Sequence, residues 1–277
     1  MVDSTEPYVR FWGVRGSIAA PGPDTFKYGG NTSCVEVRCG GRSVIFDAGT
    51  GIRPLGDELC NQGDRRVDLF LTHTHLDHIV GFPFFRFAYE SKKRVRIWAG
   101  HLPADRTIEE VLRAFMSAPF FPVPLDILSA QLEFRDFDVG DRLRPFAGVV
   151  LKTARLDHPD GAIGYRLECK GKSICYVTDT QHVIGAPNQD ILGLIAGADV
   201  VIYDAMFTDD EFPGYRDWGH STWQECLRLC ADAKVRIPVI FHHLPSRDDR
   251  ALDAIAAEAA RRHPGAIVAR EGETLVP

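Results

Sequence analysis

Short apolar runs separated by glycine and polar turns recur along the chain, and they sort into two periods. The run at 33–51, SCVEVRCGGRSVIFDAGTG, flanks Gly40-Gly41 with strand-like residues and predicts a hairpin, because paired glycines accept the positive φ values of a tight primed turn. VDLFLTHTH (67–75) and RVRIWAG (94–100) predict strands. Between them DHIVGFPFFRFA (77–88) predicts an amphipathic helix with an aspartate cap. The second half keeps the same habit. RLRPFAGVVLKTARLDH (142–158) predicts a strand, and GAIGYRLECKGKSICYVTDT (161–180) a hairpin folded at Lys170-Gly171-Lys172. NQDILGLIAGADVVIYDAMF (188–207) predicts a helix followed by a strand, and STWQECLRLCADAKV (221–235) a helix opened by a hydroxyl cap. PVIFHH is a strand, DDRALDAIAAEAARRH a helix closed by Pro264-Gly265, and AIVAREGETL (266–275) a final strand.

Residues 103–128 break this rhythm. TIEEVLRAFM is helical, but SAPFFPVP after it cannot be regular structure. The segment reads either as a packed connection or as an apolar lid. No linker or low-complexity tract divides the chain, so residues 1–277 are expected to form one α/β domain, a four-layer αββα sandwich with helices outside two sheets.

Composition narrows the function. A chain of 277 residues with 45% hydrophobic and 25% charged content can bury a sizeable core. A net charge of −6 argues against long nucleic acid as the main partner, since such partners select a basic surplus. The seven scattered cysteines form no CxxC, and an odd count fits poorly with a disulfide framework. No apolar run reaches the length of a membrane span, and the N-terminus carries no secretory pattern, so a reduced, cytoplasmic protein is expected. Cys226 and Cys230, four apart on a helix, read as ordinary buried thiols.

The chemistry concentrates in LTHTHLDHIVGF (71–82). His73 and His75, two apart on the predicted strand, would project from one face. Asp77 and His78 follow at the turn and can aim at a neighbouring point. Imidazole and carboxylate are the usual donors to zinc and similar divalent ions, and two offset donor groups suit two adjacent ions. His158, Asp179 and His242 each end a predicted strand and can converge on the same rim.

THTHLDH, with His158, Asp179 and His242, resembles the metallo-β-lactamase superfamily over nearly the whole chain, and FDAGTG fits its metal loop. WGHST before a helix resembles the ribonuclease Z and cyclic-phosphodiesterase branch. The resemblance implies that His73, His75 and His158 hold one ion, that Asp77, His78 and His242 hold the other, and that Asp179 bridges them. Spacing leaves His242 and His243 open as the ligand; the branch's ligand directly follows the strand, which favours His242 and makes His243 an outer or substrate-facing group. The ions would be zinc, with manganese or iron as alternatives.

The expected reaction is hydrolysis of a phosphodiester by hydroxide shared between the ions. His220 would protonate the leaving group, with Asp204 orienting its ring. Asp77, His220 and Asp204 make up the expected catalytic set. Arm-bearing tRNA-processing members of the branch insert chain between the equivalents of His158 and Asp179. Here those residues are 21 apart and the gap is one hairpin, so a small or cyclic phosphodiester is expected instead, with the Phe-rich 115–123 as a possible cover for its ring. Arg15 and Lys27 read either as groups that meet phosphate charge or as surface residues, and stand outside the expected site. The rivals are a lactonase, thioesterase or β-lactamase on the same scaffold, a tRNA 3′-end endonuclease, a di-iron redox protein, and an inactive binding module. Relatives of the branch often pair, so a homodimer is a further expectation.

Overall fold

The computed structural model describes residues 6–277. Its N-terminal half supplies strands β1 (Tyr8–Gly13), β2 (Cys34–Cys39), β3 (Arg42–Phe46), β4 (Arg66–Phe70), β5 (Arg94–Ala99) and β6 (Gln131–Asp136). Its second half supplies β7 (Val149–Leu156), β8 (Ala162–Cys169), β9 (Lys172–Val177), β10 (Val200–Asp204), β11 (Ile237–Phe241), β12 (Ile267–Val268) and β13 (Thr274–Leu275). One sheet runs β13-β1-β2-β3-β4-β5-β6 and the other β12-β11-β10-β9-β8-β7. Helices α1 (Ile52–Asn61), α2 (Leu76–Ile79) and α3 (Ile108–Phe115) belong to the first half, α4 (Gln189–Ile195), α5 (Trp223–Asp232) and α6 (Asp249–Arg262) to the second.

The αββα expectation is met, and side-chain alternation explains why. Along β3, Val44 and Phe46 join the core between the sheets, while Ile45 joins the outer core with Leu55 of α1 and Leu112 of α3. Along β10, Val200 and Ile202 face inward, while Val201 and Tyr203 pack with Cys226 and Leu229 of α5 and Leu252 of α6. Such strands are apolar on both faces because both faces are covered. Rings close the middle: Phe46 lies 5.5 Å from Tyr165 and 5.2 Å from Tyr176 on the opposite sheet.

Four expectations need correction. Residues 77–88 do not form one amphipathic helix. α2 is a single turn followed by two 3₁₀ turns at 82–84 and 86–89, with Pro83 in the first of them and Phe82, Phe85 and Phe87 all buried. Residues 266–275 do not form one strand. Gly272 turns the chain at φ +77°, so that β12 joins one sheet and β13 the other. β1 and β6, unnamed in the sequence reading, extend the first sheet on either side. The cysteines are not all unpaired: Cys39 and Cys169 are bonded, with Cα atoms 6.7 Å apart, because β2 and β8 end in hairpins at the same end of the sandwich. Cys226 and Cys230 are buried free thiols.

In 103–128, Thr107 and Glu110 form a reciprocal capping box that starts α3. Phe115 and Phe121 pack against the core under the first sheet's helices, while Phe120 stands exposed. Among the described residues no helix is long and apolar enough to cross a membrane.

Candidate metal centre

The rim opposite the hairpin turns collects the ends of β3 and β4, parallel in the first sheet, and of β7, β9, β10 and β11, which share one direction in the second. Its geometry starts from Asp47, which follows β3, is fully buried and adopts φ +61°. Its carboxylate accepts the Thr72 amide (2.8 Å), the Thr72 hydroxyl (3.0 Å), the Tyr176 hydroxyl (3.0 Å) and the His78 Nδ1 (2.8 Å). Capturing Thr72 takes the chain out of the sheet after Phe70. His73 and His75 therefore lie on a loop rather than on β4, which corrects the same-face argument for them. His75 caps α2 with extended backbone, and Asp77 and His78 occupy its first turn.

The remaining candidates arrive from the second sheet. His158 follows β7, Asp179 follows β9 at φ +58°, and His242 directly follows β11 at φ +59°. Positive φ at two non-glycine residues is strained backbone of the kind that clusters at functional sites. Ligand-bearing atoms of His73, His75 and His158 gather within 4.8 Å of one another, and so do those of Asp77, His78, Asp179 and His242.

Asp179 divides its oxygens between these groups. Its Oδ1 lies 3.9 Å from His73 Nε2 and 3.7 Å from His158 Nε2. Its Oδ2 lies 3.1 Å from His78 Nε2 and 3.3 Å from His242 Nε2. Asp77 Oδ2 stands 3.2 Å from His78 Nε2 and 3.3 Å from His242 Nε2, and accepts the Ser17 amide at 2.8 Å. Three rings are held from behind: His73 Nδ1 by the Thr72 hydroxyl (3.0 Å), His78 Nδ1 by Asp47, and His158 Nδ1 by the Gly219 carbonyl (2.8 Å). Such outer contacts fix ring orientation in metal sites.

Donors present and partners absent make the fit test. The Nε2 atoms of His73, His78 and His242 are buried with no hydrogen-bond partner. An unanswered buried polar atom costs on the order of 1–3 kcal/mol, so three together need a compensating ligand. Cations fit, because every one of these atoms is a good donor to a divalent ion. The electrostatics agree. Burial pushes the His73 pKa well down, keeping the ring neutral. Burial opposes ionisation of Asp179 and Asp77, yet His242 and His78 outweigh it and hold both carboxyls below their ordinary range. Burial likewise opposes a proton on His78, but Asp77, Asp179 and Asp47 together raise its pKa well above normal. A proton there and a cation at its Nε2 are competing answers to the same carboxylates.

His220 stands beside the cluster. Its Nδ1 lies 2.9 Å from Asp204 Oδ2 and 3.8 Å from Asp179 Oδ1, and its ring centroid is 5.1 Å from His242. Burial works against its protonation, but the Asp204 charge and hydrogen bond, with Asp179 and Asp77 behind, push the pKa up to about 9. Asp204 ends β10, fully buried, and also accepts the Thr180 and Met206 amides. His220 also groups spatially with His158 and Asp179. Its Nδ1 is already committed to Asp204, which favours a proton-carrying role over a ligand's.

Of the tandem histidines, His242 joins the cluster and His243 does not. His243 Nε2 bonds the Ala269 carbonyl at 2.9 Å, and its buried ring lies 6.1 Å from and nearly perpendicular to Tyr28. Arg15 is not a surface residue: it is fully buried and donates to the carbonyls of Gly29, Leu244 and Arg247. Lys27 is exposed and pairs with Asp253. Several supporting residues escaped the sequence reading. A Cβ at Gly16 would lie 2.5 Å from the His242 ring, and one at Gly219 2.2 Å from His158 Nδ1. His101, buried after β5, meets the Thr74 hydroxyl at 3.1 Å between the two loop histidines. The glycines in GVRGS and WGHST were the only visible signals for the first two.

Residues 42–243, which span the whole ligand cluster, match the family described as the beta-lactamase superfamily domain. Ribonuclease Z of Haloarcula marismortui is 24% identical over 305 aligned residues, covering 95% of this chain and 94% of that protein. Among solved structures, the metallo-beta-lactamase fold protein YhfI of Bacillus subtilis superposes with a TM-score of 0.74 at 17% identity, covering 99% of this chain and 100% of that one. Human tRNase Z, short form, gives 0.69 at 20% identity, covering 98% and 99%. At these identities the structural likenesses establish the fold. The sequence relatives place the chain near the ribonuclease Z branch, where WGHST pointed.

Proposed function

The chain belongs to the beta-lactamase superfamily domain family, and on that footing we propose that it is a metal-dependent phosphodiesterase acting on a small or cyclic phosphodiester through two divalent ions. The observation that carries this reading is the divided Asp179 carboxylate, with one oxygen turned to His73 and His158 and the other to His78 and His242. His73, His75 and His158 would hold one ion; Asp77, His78 and His242 the other. Zinc is the first choice, and the same donors accept manganese or iron. Bound there, a pair of divalent ions supplies Lewis acidity and a water of lowered pKa at neutral pH.

The chain's own residues do the rest. Asp47, Thr72 and the Gly219 carbonyl fix the imidazoles, so the site costs little reorganisation when substrate arrives. Water attacks phosphorus and releases one proton to solvent, the bond to the leaving oxygen breaks, that oxygen takes a proton from His220 Nε2, and solvent then returns a proton to the ring. Asp204 holds Nδ1 at 2.9 Å, and its charge favours a proton on the ring.

The relatives' name makes tRNA the rival substrate. Against it, only a turn and the β8-β9 hairpin fill the space between His158 and Asp179, leaving no arm to grip an RNA. The test assays metal-loaded protein on bis(p-nitrophenyl) phosphate, 2′,3′-cyclic nucleotides, a lactone, a cephalosporin and a tRNA precursor. Diester hydrolysis should lead. Faster turnover of the lactone or cephalosporin would overturn the reading, and 3′ processing of the precursor would install the rival.

A further inference from the structure

Trp218 is 61% exposed, although it lies two residues before His220. Two residues of chain reach at most about 7 Å, so its backbone sits beside the proposed proton donor. The ring is not loose. It stands perpendicular to Tyr215 (centroids 5.3 Å apart, 88°), Tyr215 stacks on Phe207 at 4.4 Å, and Phe207 is tilted 67° to His220 at 6.2 Å. An unbroken series of ring contacts thus links an exposed indole to the His220 imidazole.

The backbone is fixed as firmly. The Trp218 amide donates to the Tyr215 carbonyl (3.3 Å), and the Asp217 amide donates to Gln181 Oε1 (2.6 Å), beside the Asp179 loop. Gly219, at φ +79°, turns its carbonyl onto His158. The other three tryptophans are buried or half-buried, so this exposure is a local choice. Other exposed apolar side chains neighbour cluster residues. Leu76 stands between His75 and Asp77, and Ile18 follows Ser17, whose amide holds Asp77.

A flat aromatic face, held rigid and wet beside a phosphodiester site, is what a planar ring stacks on at small entropic cost. We infer that Trp218 is a stacking platform that selects phosphodiesters carrying a nucleobase or similar aromatic ring on the arm that stays with the phosphate. Of the Phe-rich 115–123 segment, Phe115 and Phe121 pack against the core while Phe120 stands exposed.

The inference rests on the diesterase reading, and its test separates the two. Two esters share a p-nitrophenolate leaving group but differ in the retained arm: thymidine 5′-(p-nitrophenyl phosphate) and methyl p-nitrophenyl phosphate. Wild-type protein should prefer the thymidine ester. W218A should shrink that preference in kcat/KM about tenfold, and W218F should keep most of it. A preference unchanged in W218A overturns the platform. Should the wild type split neither ester, the diesterase reading falls, and the platform is judged on binding alone. Thymidine 5′-monophosphate should quench tryptophan emission in wild type and not in W218F or W218A; equal affinity of wild type and W218A by calorimetry overturns the platform.

Discussion

Two buried polar clusters of this molecule invite comparison. Glu36, on β2, is nearly inaccessible, yet its oxygens accept the Trp12 indole (3.2 Å) and the Ser43 hydroxyl (2.5 Å). Arg38 beside it grips Asp64 with two bonds of 3.0 and 3.1 Å. Every charge there has its partner within the protein. At the rim, three imidazole Nε2 atoms have none, and two carboxylates crowd against them. Burial of charge therefore does not by itself mark function. What sets the rim apart is the crowding of metal-ligand types, imidazole and carboxylate, with their donor atoms turned to one another.

Breaking the rim should cost activity most where the two ligand groups are joined. Asp179→Asn removes the charge that both groups share and should lower kcat/KM on bis(p-nitrophenyl) phosphate at least about 10³-fold, measured on protein shown to be folded by circular dichroism. His220→Ala should lower kcat on a 2′,3′-cyclic nucleotide, whose alkoxide leaving group needs a proton, by about 10² to 10³ while the metal content by elemental analysis stays at the wild-type value. Unchanged turnover in the loaded variant would remove His220 from the reaction. The complete cluster should answer differently. Glu36→Ala strands two donors and should cost about 2–3 kcal/mol in denaturant unfolding, with no change in metal content. Asp204→Asn is the subtlest. It keeps an acceptor for His220 but removes the charge, and should lower kcat about tenfold with metal content intact.

The same contrast explains what could be read from the sequence. Periodicity exposed most strands and helices α3 to α6, because both faces of these strands are buried and leave unmistakable apolar runs such as VIF and VVIY, whereas α1 (Ile52–Asn61) went unread. The ligand types were visible because HTHLDH crowds groups that a strand end has no structural use for. What stayed hidden depends on contacts distant in sequence. Asp47 takes the Thr72 amide from 25 residues away and turns a predicted strand into a loop. Arg15 looks like a surface cation until the carbonyls of Leu244 and Arg247 close over it. Adjacent His242 and His243 carry identical chemistry, and only the Ala269 carbonyl takes the second out of the site.

The central claim is that the rim completes itself with a pair of cations. Metal-free protein titrated calorimetrically with zinc, then dialysed and analysed for bound metal, tests it directly. The account predicts two tightly held ions per chain in the wild type. Fewer than one ion per chain after full reconstitution would contradict it.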